Sequence, residues 1–128
     1  MGRYVSFNTG FEYKFRFGIQ PSSDIENFGG EKQTKNFIYW TQKDIEYILE
    51  TLNEYTLADE FIFPDFNKYE KNISGTYELK FQEKFHNGNF IDHSNKEINE
   101  LRVCRFELGC LIYHQLLYTD KLEAEYEL

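Results

Sequence analysis

In FEYKFRFGIQ, Phe11 to Gln20, apolar and polar residues alternate: Phe11, Tyr13, Phe15, Phe17 and Ile19 share one face, and Glu12, Lys14, Arg16 and Gln20 share the other. A period of two in an aromatic-rich run predicts a half-buried β-strand. Such a strand is stable only when its apolar face is covered, so this decade asks for a sheet with a second layer. Immediately upstream, Tyr4-Val5-Ser6-Phe7 reads as a shorter strand and Asn8-Thr9-Gly10 as a tight turn, which joins the first two strands in a hairpin. Downstream, PSSDIENFGGEKQTKN, from Pro21 to Asn36, reads as a polar loop.

Beyond that loop the period changes. Ile45, Ile48, Leu49, Leu52 and Tyr55 recur at helical spacing, and Thr41 with Asp44 approximates a capping box, so a helix is expected from about Thr41 to Leu57. Pro64 prevents Phe61-Ile62-Phe63-Pro64-Asp65-Phe66 from continuing it. Thr76 to Gln82 alternates again and predicts a second long strand. After the turn signal Asn87-Gly88, Ser94 and Glu97 stand as a capping box before Ile98, Leu101, Cys104, Leu108, Leu111, Ile112 and Leu116. That pattern predicts a long helix from about Asn95 to Tyr118. Leu122, Ala124, Tyr126 and Leu128 then alternate with Glu123, Glu125 and Glu127, a terminal strand with one acidic face. The expected order is β-β-α-β-α-β. It implies one α+β domain over residues 1–128: a two-layer sandwich of about four mostly antiparallel strands with two helices on one face.

Of the 128 residues, 19% are aromatic, enough to build a core and an interface on large rings. Twenty-two acidic side chains against 14 basic ones give a formal charge of −8 and a pI near 4.9. The resulting field repels phosphate backbones, which argues against direct nucleic-acid binding, and draws in basic protein surfaces. No apolar run reaches the ~18 residues of a membrane span, and the polar start MGRYVSFN is not a signal peptide, so a cytoplasmic protein without a membrane partner is expected. Cys104 and Cys110, six residues apart on one helix, fall on different faces, and no local disulfide is expected.

Catalytic signals are weak. His86, Asp92 and His93 come nearest to a metal constellation, yet their spacing matches no established ligand pattern, and no metal or cofactor is expected. Ser22, Ser23 and Asp24 lack a nucleophile elbow, and Gly29-Gly30 lacks the rest of a phosphate loop. With 22 carboxylates, nothing singles out two as a general acid and base. No enzyme class is supported.

The acidic residues are patterned instead. Glu46, Glu50 and Glu54 stack about 6 Å apart along one helix face, and each like-charge pair costs roughly 0.2–0.5 kcal/mol. No Lys or Arg lies between Lys43 and Lys68 to offset them. Glu123, Glu125 and Glu127 repeat the theme about 7 Å apart on the terminal strand. Solvated faces are the plain explanation. The sharper one is a docking surface for a basic protein, such as one that otherwise holds nucleic acid, with Phe61, Phe63 and Phe66 as an aromatic anchor. The first reading is therefore a small acidic binding protein of the inhibitor, immunity or antidefence kind. A second is a small-ligand or nucleotide-metabolite binder, or an enzyme, using loops 21–36 and 86–93. A third is a structural subunit that self-associates or joins an assembly.

Overall fold

The structure, a computed structural model, describes residues 3–55, 72–73 and 96–128. The first hairpin is there as its alternation predicts: β1 (Tyr4–Phe7) pairs antiparallel with β2 (Glu12–Lys14), with Val5 opposite Tyr13. The strand does not run to Gln20, however. One further bond, from the Phe15 amide to the Arg3 carbonyl, extends the pairing, and then Ile19 N and Gln20 N both donate to the Arg16 carbonyl. Gly18, at φ +78°, supplies the left-handed residue this turn needs. Phe17 is consequently 74% exposed rather than in the core. Alternation continues into the turn because spacing alone does not distinguish a strand from a bend.

The segment read as a loop is structured. A 3₁₀ helix spans Ser22–Phe28, long for its kind, and buries Ser22, Asp24, Ile25 and Phe28. A second hairpin follows, β3 (Glu31–Thr34) with β4 (Phe37–Thr41). Thr41 and Asp44 do form the capping box, over a short 3₁₀ turn, Gln42–Asp44, that leads into α1 (Ile45–Tyr55). Then come β5 (Asn72–Ile73), α2 (Lys96–Leu116) and β6 (Lys121–Tyr126). The expected strand at Thr76–Gln82 and the Ser94 cap lie outside the described residues.

The sheet order is β3-β4-β6-β1-β2-β5. The first five strands pair antiparallel and the two-residue β5 adds parallel to β2. Two strands before α1 thus join the expected order, and the C-terminal strand sits in the middle, between β4 and β1. Trp40 faces Leu122 and Ile38 faces Ala124 across one ladder, and Val5 faces Tyr126 across the next. All six are buried on one side of the sheet, in a core shared with Ile48 and Leu52 of α1 and Leu108, Leu111 and Ile112 of α2. Each large side chain so buried contributes about 1.5–3 kcal/mol. This is the two-layer α+β sandwich expected from the sequence.

Two contacts set how closely the helical layer packs. Every residue of α2 from Phe106 to Ile112 is buried, so this part of the helix has no solvent face. At Gly109 a Cβ would lie 2.4 Å from Phe28 and 2.6 Å from Leu52, so the missing side chain is what lets α2 meet both the 3₁₀ helix and α1. Beside this contact the Asp24 carboxylate, 1% exposed, receives Arg105 Nε at 3.1 Å on both oxygens. The Arg105 guanidinium also lies 6.0 Å from the Tyr55 ring centroid, which links the 3₁₀ helix, α1 and α2. At the other end of α2, Gln42 donates to the carbonyls of Leu116 and Thr119 and caps the helix.

Candidate functional site

Glu123, Glu125 and Glu127 project from the side of the sheet turned away from the core, because the residues between them, Ala124 and Tyr126, are buried. Strand pairing places other outward side chains beside them. Tyr39 lies opposite Glu123, Phe37 and Ser6 lie opposite Glu125, and the Glu127 amide donates to the Tyr4 carbonyl. Tyr4, Phe37 and Tyr39 are half-buried, so each ring keeps solvent access while its base packs on the sheet. The face is thus a mosaic of carboxylates and rings, with adjacent strands about 4.8 Å apart.

Two lysines lie on this face, and each rests on a ring. Lys121 Nζ is 4.3 Å from the Tyr39 centroid, and Lys14 Nζ is 5.9 Å from that of Tyr4, both within cation–π range. The Tyr39 hydroxyl donates to Glu31, and this bond to a carboxylate raises the phenol above its ordinary pKa. Glu123, Glu125 and Glu127 make no ion pair among the described residues.

The helical row also lies at the surface. Glu46, Glu50 and Glu54 are exposed, while Ile48, Thr51 and Leu52 turn inward. Glu50 and Glu54 join Glu26 and Asn27 of the 3₁₀ helix around an open cleft of about 320 Å³, walled by Tyr47, Thr51 and Tyr55. Glu46 does not line it. Glu26 is matched by Lys32, 3.1 Å away, and that hydrogen bond holds the lysine above its ordinary pKa. Burial raises the Tyr55 phenol. The three helix glutamates make no ion pair among the described residues.

The two rows do not form one surface. α1 packs on the core side of the sheet and the β6 glutamates point from the opposite side, so one flat partner cannot meet both. Phe61, Phe63 and Phe66 lie outside the described residues, as do His86, Asp92 and His93. Spacing along β6 and α1 revealed both rows of glutamates. It does not reveal Tyr39 and Phe37, because FIYWT lacks an apolar–polar alternation, although all five of its residues favour strands.

Residues weighed for chemistry hold the fold instead. Ser22 accepts from Arg3 at 2.7 Å, and Asp24 is taken by Arg105. Cys104 and Cys110 are buried and form no disulfide, and burial, with Glu107 adding to it, pushes the Cys110 thiol well above its usual pKa, the reverse of an activated nucleophile. His114 stacks edge-on with Phe11 and Tyr118 on a half-buried helix face. Among the described residues no cluster of three metal-ligating side chains occurs, and no helix is long and apolar enough to cross a membrane. Compared with the models of known protein families, with curated proteins and with solved structures, the chain matches none.

Proposed function

We propose that this chain is a small acidic binding protein that acts in the cytoplasm by docking on a basic surface of another protein. The observation that carries the reading is that six carboxylates, in two ordered rows on a well-packed scaffold, make no ion pair among the described residues. A chain of net charge −8 with such rows raises its encounter rate with a basic partner and disfavours acidic ones. The burial of both cysteines, which raises the Cys110 thiol well above its ordinary pKa, and the structural use of Ser22 and Asp24 support binding over catalysis.

The test is capture from a lysate of the source cell at low and at high salt, with bound proteins identified by mass spectrometry. The wild-type chain should retain one or a few basic proteins that salt releases. Retention of acidic proteins, or of a set indifferent to salt, would refute the reading.

A further inference from the structure

We infer that the docking surface is the uncovered sheet face and not the α1 side, and that Lys121 and Lys14 occupy ring seats which lysines or arginines of the basic partner take over. The inference rests on the binding function proposed above and narrows it to one of the two acidic rows.

Charge alone does not separate the rows; the lysines already seated on the rings beside one of them do. On the sheet, Tyr39 and Tyr4 stand next to Glu123 and Glu127, and each ring already carries an ammonium group at cation–π distance. These are the chain's own cations showing where a foreign cation would sit: over a ring, within reach of a carboxylate. Alternation on the pleat holds ring and carboxylate in fixed register, and the strands beneath are anchored by buried Trp40, Leu122 and Tyr126. On the α1 side two of the comparable groups are in use. The Tyr55 ring faces Arg105 from within the fold, and Glu26 is matched by Lys32. The exposed Tyr47 ring does stand beside Glu50 and Glu54, but among the described residues no cation of the chain is seated on it.

If Lys121 is a placeholder, it competes with the partner, so removing it strengthens binding, whereas removing the ring weakens it. The probe is a deca-arginine peptide, titrated into the full-length chain and followed by backbone amide NMR, with deca-glutamate as control. Amide shifts should fall on β4, β6 and β1 and vanish in a Glu123→Lys, Glu125→Lys variant. Lys121→Ala should bind about two- to fivefold tighter, the range of an exposed cation–π contact. Lys43→Ala, an equal charge change on the turn after β4 with no ring beneath it among the described residues, should stay close to wild type. Tyr39→Phe keeps the ring and should retain affinity, while Tyr39→Leu loses it, with circular dichroism showing that both variants fold. Shifts confined to α1, lost in a Glu46→Lys, Glu50→Lys, Glu54→Lys variant, would overturn this inference and leave the proposed function standing. Binding at the sheet that Lys121→Ala does not strengthen beyond Lys43→Ala would remove the ring seats. An absence of salt-sensitive binding to deca-arginine would count against the function itself.

Discussion

The two faces of the central sheet are built from the same strands and obey different constraints. On the inner face Trp40, Ile38, Leu122, Ala124 and Tyr126 are each at most 2% exposed and interlock with two helices. On the outer face their immediate neighbours, Tyr39, Phe37, Glu123 and Glu125, meet solvent. Because a strand turns successive side chains to opposite sides, each step along β6 moves from a position fixed by packing to one that packing leaves free. Stability selects the first set. The second set carries a mosaic of acids and rings that folding does not require, and this is why the outer face is the better place to look for recognition.

Two adjacent residues, one on each face, carry the largest expected contrast. Leu122→Ala should cost about 2–5 kcal/mol of stability, and Glu123→Ala should stay within about 0.5 kcal/mol, both read from urea unfolding. Comparable losses would mean that the outer face is packed against something and is not a free surface.

A similar cost is expected on the helical side. Arg105→Met leaves the buried Asp24 carboxylate without its partner; with Arg105 itself 30% exposed, the loss should be about 2–3 kcal/mol, below that of a fully buried pair. A double variant that also replaces Asp24 with Asn should recover part of it, since no charge is then stranded. Gly109→Ala comes next. Alanine is the better helix former by about 1 kcal/mol, yet its methyl would press on Phe28 and Leu52, and overpacking of this kind costs roughly 1–3 kcal/mol. A net loss that Phe28→Leu relieves would place the strain at that crossing; a net gain would show that the layer yields.

These sites also show where local pattern stops being informative. The inner face of β1, β2 and β6 was legible because apolar and polar residues alternate there with strong contrast. β3 was not, since all of EKQT is exposed, and β4 was not, since FIYWT offers little contrast between its faces. The 3₁₀ helix was hidden for another reason. Its Ser22 and Asp24 look like loop residues, and what buries them is Arg3 and Arg105, 19 and 81 positions away. The glutamate rows were legible from spacing, but their separation to opposite sides depends on β6 inserting between β4 and β1, a long-range pairing that no local signal encodes.

The smallest expected effect concerns pH and again divides the inside from the outside. Burial raises the Cys110 thiol well above its ordinary value of 9.0, so the folded state keeps a proton that the unfolded chain gives up. Below about pH 9 both states are protonated and the thiol contributes fully. As pH rises past 9 the unfolded state binds fewer protons than the folded one, and stability falls. The half-buried phenol of Tyr55, also raised by burial, adds a loss of the same sign from about pH 10. Urea midpoints measured from pH 8 to 10 should therefore decline, and Cys110→Ala should flatten the decline while lowering stability throughout. Glu123→Gln with Glu125→Gln removes surface charge without touching the buried thiol, so it should shift the curve with little change of slope. A slope that follows the glutamates and ignores Cys110 would mean that surface repulsion, and not the buried thiol, sets the alkaline limit of the fold.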